Sequence, residues 1–149
     1  GLFDFTPVGG IIALIGVIMF KFSKTVEYAL ISVNHINKCD SDTPVSVRQI
    51  SDFHNIPYDL LAKILQKMSK AQILISIKGP KGGYKIKSKY KDLTLIDFIE
   101  IIEGPFGIAG CFVDIDCDQS ANCNIINPLE KINSKIYQVF SDIKLNQLT

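Results

Sequence analysis

Ser46-Val-Arg-Gln-Ile-Ser-Asp-Phe-His54, the turn Asn55-Ile-Pro-Tyr-Asp59 and the run on to Ala71 decide the fold. Ser46 can cap a short helix, with Gln49 at its third position completing a capping box. Val47, Ile50 and Phe53 are expected to face inward. Pro57 sits near the start of a second helix, where a missing N–H costs nothing. From Tyr58 to Ala71, apolar residues recur at Leu61, Ile64, Leu65 and Met68, which is helical spacing. Two short helices joined by a tight turn make a helix-turn-helix. Alone that is a weak signal, because many helical hairpins look the same.

The next stretch strengthens it. Ile73–Ile77 and Tyr84–Ser88 read as short strands, and Gly79-Pro-Lys-Gly-Gly83 supplies the turn of a hairpin. Lysines at 85, 87 and 89 alternate with Tyr84, Ile86 and Ser88, so one strand face is expected to be cationic and the other mainly apolar. Helix, turn, helix, then a basic glycine-rich hairpin is the order of a winged helix. The second helix of the pair enters the major groove, and the wing follows phosphate or minor groove.

Charge is segregated along the chain. Residues 45–91 carry ten Lys and Arg against two Asp, whereas residues 92–149 carry three Lys against nine acidic residues. A basic middle joined to an acidic end suits a polyanion-binding module attached to something else. A hydrophobic content of 47% with 21% charged residues excludes a disordered chain.

Upstream, Lys24–Ile36 has helical spacing, with Val26, Ala29, Leu30, Val33 and Ile36 on one face. Asn37–Pro44 is a polar loop. The first eighteen residues do not match the rest. Val8–Phe20 is an uncharged apolar run of thirteen residues, short for a membrane span and without signal-peptide flanks. Residues 1–18 are therefore expected to be a non-native or misassigned extension before Met19, with a genuine hydrophobic anchor as the alternative. Without them the protein reads as cytoplasmic, with no membrane partner. Residues 19–91 form the expected winged helix-turn-helix domain.

Residues 92–149 form the second expected part. Thr94 caps a helix with Asp97 at its third position, and Gly104 ends it. Asn127 and Pro128 read as cap and first residue of a last helix. Its apolar residues Leu129, Ile132, Ile136, Val139 and Ile143 step by three and four, a heptad seam. Packing on the monomer core would give the same pattern. A dimer helix is preferred, because winged-helix readers of DNA work as symmetric pairs. The fold class is α+β, mostly α: a winged helix-turn-helix with a cysteine loop and a long C-terminal dimerisation helix.

Between these helices, Cys111, Cys117 and Cys123 are each separated by five residues. Three evenly spaced thiols in one loop can converge on a single centre, and thiolates suit iron–sulfur clusters and zinc. The loop lacks the paired spacing of most structural zinc sites, and nothing marks a disulfide framework. Asp114, Asp116 and Asp118 add negative charge around a bound centre. Candidates for a fourth ligand are Glu27, a loop aspartate, Cys39, His35 or an external thiol. His54 reads as a helix-end residue and Cys39 as a bystander. No nucleophile–base pair, phosphate loop or cofactor fingerprint points to an enzyme.

Taken together, Lys21-Phe-Ser-Lys-Thr-Val-Glu-Tyr-Ala-Leu30, the wing Gly79-Pro-Lys-Gly-Gly-Tyr84 and the three-cysteine loop resemble the Rrf2 family of bacterial winged-helix regulators. The loop narrows the resemblance to the cluster-binding members, namely the Isc-type regulator, the nitric-oxide-sensing repressor and the SUF-operon regulator. Glu103-Gly-Pro-Phe-Gly-Ile-Ala-Gly-Cys111 and the tail from Ile132 to Leu145 look most like the SUF type. The resemblance implies a homodimer on double-stranded operator DNA whose affinity changes with the cluster, and control of cluster-assembly genes. It makes Cys111, Cys117 and Cys123 the cluster thiolates and Glu27 the acidic ligand from the first helix, with a two-iron two-sulfur cluster preferred over a four-iron four-sulfur one. The Isc-type histidine falls on Ile126 and is missing. Lys78 stands where Arg is usual, and Gln72 where Gly is usual. Residues expected at DNA are Tyr58, Asp59, Lys63 and Lys67 on the reading helix, Lys78, Lys81 and Tyr84 in the wing, and Arg48 at phosphate.

Overall fold

A computed structural model describes residues 22–113 and 116–148. The apolar run before Met19, and Asp114 in the cysteine loop, lie outside the described residues. Among the described residues, no helix is long and apolar enough to cross a membrane.

The described residues form five α-helices and one hairpin: α1 (Lys24–Lys38), α2 (Val47–His54), α3 (Tyr58–Lys70), β1 (Leu74–Ile77), β2 (Gly83–Ile86), α4 (Leu95–Glu103) and α5 (Ile126–Asp142). Short 3-10 turns cover Ser88–Asp92 and Leu145–Gln147. Both expected capping boxes form: Ser46 with Gln49 on α2, and Thr94 with Asp97 on α4. The turn between α2 and α3 is closed by Asn55 in the left-handed region, φ 54°, a conformation that asparagine tolerates. Ser51 locks it from below, its hydroxyl donating to the Ile56 carbonyl at 2.7 Å.

The core gathers Val26, Ala29 and Val33 from α1, Leu61, Leu65 and Met68 from α3, and Phe98 and Ile102 from α4. The residues from α1 and α3 belong to the helical stripes read from the sequence, whereas Phe98 and Ile102 were not singled out there. Phe53 is a correction. Its ring is 75% exposed and lies against His35 and His54 instead of the core.

The hairpin is antiparallel, with Leu74 opposite Ile86 and Ile77 opposite Gly83. It is stitched to the segment before α2: Tyr84 N–H donates to the Val45 carbonyl at 2.8 Å, and Val45 N–H to the Tyr84 carbonyl at 3.0 Å. Gly83 permits this approach, since a Cβ there would stand 2.4 Å from the Val45 oxygen. The expected alternating strand ends early, and Lys89 falls in the 3-10 turn after β2. Its ammonium donates to the Ala71 carbonyl at 3.2 Å, while that of Lys87 donates to the Gln72 side chain. Both charges serve the end of α3, not one cationic strand face. Gln72 is left-handed, φ 67°, which explains why glycine suits that position.

Helix α5 starts at Ile126, so Asn127 and Pro128 lie in its first turn and not at its cap. It ends at Asp142, and Ile143 leaves the helical seam. The Ile143 carbonyl accepts from Leu95 N–H at 2.8 Å, and Leu145 N–H donates to the Leu93 carbonyl at 2.8 Å. Leu145 is fully buried, so the tail behind α5 is a plug in the core.

Candidate nucleic-acid interface and cysteine loop

Helix α3 buries Leu61, Ile64, Leu65 and Met68. At about 100° per residue, this leaves Asp59, Lys63, Gln66 and Lys70 on the opposite, solvent face, and all four are exposed. Gln66 and Lys70 were not picked out from the sequence, although the same helical period would have found them. Lys67 lies at the flank, where its ammonium donates to the Ile102 carbonyl at the end of α4, 2.9 Å away.

Tyr58 opens α3 and is exposed. The Arg48 guanidinium stacks over its ring, 4.5 Å from the centroid. An exposed cation–π contact of this kind is worth roughly 0.5–1 kcal/mol, and it pre-orients Arg48 beside the reading helix. Tyr84 is half-buried against the core. Burial pushes its phenol above the usual value, with neighbouring Tyr58 adding to the effect. Lys78 and Lys81 stand exposed at the wing. Arg48 and Tyr58 thus pair at the start of α3, with Tyr84 of β2 nearby.

The cysteine loop leaves α4 at Gly104, φ 94°. Its first arm is held on both sides. Phe106 N–H donates to Glu100 at 3.2 Å, and Ile108 N–H donates to the Asn133 side chain of α5 at 3.0 Å. Gly107 is pressed against Phe112 and Val113, and a Cβ there would approach each within 2.8 Å. Beyond this anchor, Cys111 and Cys117 are exposed, Cys123 is half-buried, and all three are free thiols. Among the described residues, no three His, Cys, Asp or Glu side chains converge as a metal site. Glu27 is engaged at 2.8 Å with Lys24 of its own helix, and that contact raises the Lys24 pKa. A cavity of about 510 Å³ lies beside the anchored arm, walled by Phe22, Ile99, Glu103, Phe106, Ile136 and Phe140.

Helix α5 has no buried residue. Its inner side meets α4 through partly buried Phe140. Of the seam, Leu129 and Ile136 are half-buried, whereas Ile132 and Val139 are 46% and 56% exposed.

A winged helix-turn-helix followed by a helix with an uncovered apolar seam matches one family over nearly all its described length. The family described as an iron-dependent transcriptional regulator, Rrf2, matches residues 22–149. The chain belongs to the Rrf2 family. An HTH-type transcriptional regulator of Aquifex aeolicus (strain VF5) is 30% identical over 130 residues, covering 85% of this chain and 90% of its own. The HTH-type transcriptional regulator IscR of Vibrio atlanticus is 23% identical, covering 86% of this chain and 74% of its own. Among solved structures, CymR (YrzC), the global cysteine regulator of B. subtilis, superposes with a TM-score of 0.66 at 23% identity, covering 87% of this chain and 95% of its own. T. potens IscR does so with 0.62 at 21%, covering 85% and 84%. This Rrf2 chain is accordingly a DNA-binding transcription regulator of winged-helix fold, and not an enzyme.

Proposed function

We propose that this chain is a homodimeric, cytoplasmic regulator that senses iron–sulfur cluster or redox status and controls genes of cluster assembly. The observation that carries the reading is the loop between α4 and α5, which presents three free, accessible thiols from an arm hydrogen-bonded to both helices. The donor set fits an iron–sulfur cluster, because thiolates are its usual ligands. Cys111, Cys117 and Cys123 are the proposed ligands, with Glu27 as the fourth once it is released from Lys24. A two-iron two-sulfur cluster is the preferred type. When bound, such a cluster supplies an iron centre that responds to oxidants, nitric oxide and iron supply.

The chain's own geometry suggests how the signal travels. Cys123 lies just before Ile126, where α5 begins. The far end of α5 is fixed by the buried Leu145. Cluster ligation by the three thiols would pull on the start of α5 while its far end stays fixed. If Leu129, Ile132, Ile136 and Val139 form the dimer seam, with Ile143 at its edge, that movement resets the spacing of the two α3 helices. Spacing matters, since half-sites lie about one duplex turn apart. At DNA, Asp59, Lys63, Gln66 and Lys70 face the major groove. Arg48, Lys78 and Lys81 meet phosphate, and Tyr58, Tyr84 and Lys67 contact DNA beside them.

The test is operator affinity in two states. An operator fragment is selected from a random DNA library and bound, without oxygen, by the cluster-loaded chain and by the stripped chain. Affinities differing at least tenfold, with the difference abolished by Cys111→Ser, support the reading; equal affinities overturn it. One observation favours a second reading. Cys111 and Cys117 are exposed free thiols, as thiols that act by reversible oxidation would be. A structure of Staphylococcus aureus CymR in its oxidized form is a fold neighbour, with a TM-score of 0.64 at 18% identity, covering 85% of this chain and 93% of its own. An iron-free chain whose DNA affinity still responds to peroxide would select that reading.

A further inference from the structure

Two imidazoles meet where α1 and α2 end. His35 Nδ1 and His54 Nε2 are 2.9 Å apart, with the rings edge to face and centroids 5.0 Å apart. Phe53 packs on both rings, at 5.2 Å and 4.9 Å. The pair opens onto a cavity of about 360 Å³ that Asn34, Lys38 and Cys39 also line. Among the described residues, the Asn34 side-chain oxygen is buried without a donor.

Three physical features favour a cation here. His35 is in the last turn of α1 and His54 in the last turn of α2, so two helix C-termini with their partial negative charge bracket the spot. Two imidazole nitrogens face each other at 2.9 Å, and imidazole nitrogen is a common ligand of first-row transition ions. A buried oxygen acceptor with no donor is the kind of group that an ion or its water would satisfy.

We propose that His35 Nδ1, His54 Nε2 and the Asn34 side-chain oxygen form a binding site for a divalent first-row transition ion, separate from the cysteine loop. Two nitrogens 2.9 Å apart, each about 2.0–2.1 Å from an ion, subtend roughly 90° at it. That angle suits cis positions of an octahedral or tetragonal ion, with water in the open positions. Lys38 is exposed, and its long stem lets the ammonium stay in solvent. Cys39 is exposed and does not complete a three-donor group with the two histidines. The ion would tie the end of α1 to the end of α2, the first helix of the DNA-binding pair.

The probe is Ni²⁺, titrated calorimetrically into the tag-free full chain, with imidazole nitrogen resonances followed in parallel. The expected result is one equivalent bound, with the His35 and His54 resonances broadened by the paramagnetic ion. His35→Gln and His54→Gln each weaken binding at least tenfold, Asn34→Ala weakens it two- to tenfold, and Cys39→Ser changes it less than twofold. Cys117→Ala retains the site, which separates this inference from the cluster reading. The proposal is overturned by an absence of saturable binding to the native chain or by unbroadened histidine resonances, either of which leaves only an N–H···N hydrogen bond. Binding that survives both histidine substitutions, or that disappears in Cys117→Ala, also overturns it.

Discussion

Gly83→Ala tests how the wing is attached. A Cβ at this position would stand 2.4 Å from the Val45 oxygen, 2.5 Å from the Val45 carbonyl carbon and 2.8 Å from the Ser46 nitrogen. All three atoms are backbone, so no side chain can turn aside to make room. Relief requires β2 to move away from Val45, which breaks the two hydrogen bonds of 2.8 and 3.0 Å that join them. Two such bonds are worth about 1–3 kcal/mol net. The positive φ of 155° adds strain of roughly 1–2 kcal/mol for a residue with a side chain. The expected loss is about 2–5 kcal/mol, or a fall in Tm of roughly 5–15 °C in a domain of this size. Gly79→Ala is the control: its Cβ would meet nothing within 4 Å, and only the φ of 111° is unfavourable, so its cost stays near 1 kcal/mol. Circular dichroism melts of both variants decide the matter, with operator anisotropy reporting the displaced wing. A Gly83→Ala protein that melts within about 2 °C of the native chain would refute the reasoning, as would equal losses for the two glycines.

Three further outcomes follow from the geometry. Lys81→Ala lowers operator affinity and flattens its dependence on salt by about one unit of slope, whereas Lys67→Ala changes the slope less and costs about 1 kcal/mol of stability, because its ammonium is bound to Ile102; salt titrations of both variants compare them. Burial raises the phenol pKa values of Tyr84 and Tyr90, so above pH about 10 the unfolded chain loses these protons first. The stability they contribute is complete below that pH and is lost as pH rises through the folded-state values, and Tyr84→Phe makes the alkaline fall in Tm shallower in melts from pH 8 to 11. Ile132→Asp combined with Val139→Asp yields a monomer in sedimentation with unchanged helix content, since neither side chain is buried in the protomer; a dimer that persists would remove α5 as the seam.

What could be read from the sequence was local. The boxes Ser46–Gln49 and Thr94–Asp97, and the stripe from Leu61 to Met68, depend on residues three or four apart, and the structure forms them as written. What was missed depends on chain segments meeting across the fold. Tyr84 reads as a wing residue until β2 pairs with Val45 and draws it half into the core. That the Lys67 ammonium also donates to the end of α4 could not be read from its place in the helix. Leu145 follows the last helical period and carries no pattern, yet it fills the core. Phe53 has the right spacing to be buried, but α1 offers it His35 instead. The family was legible from motifs scattered over the chain, each of them weak alone. The disposition of the cysteines was not legible, because a stretch without periodicity fixes spacing but no direction.

Whether the loop thiols hold a cluster is decided by the visible absorption spectrum of the chain, purified without oxygen, together with its iron and acid-labile sulfide content. The expected result is sulfur-to-iron charge-transfer bands with iron and sulfide in equal amounts, near two of each per chain for the preferred cluster, and loss of both in Cys117→Ala. A native chain that stays colourless and iron-free after reconstitution with iron and sulfide would contradict it, leaving a winged-helix DNA-binding regulator whose loop thiols have another task.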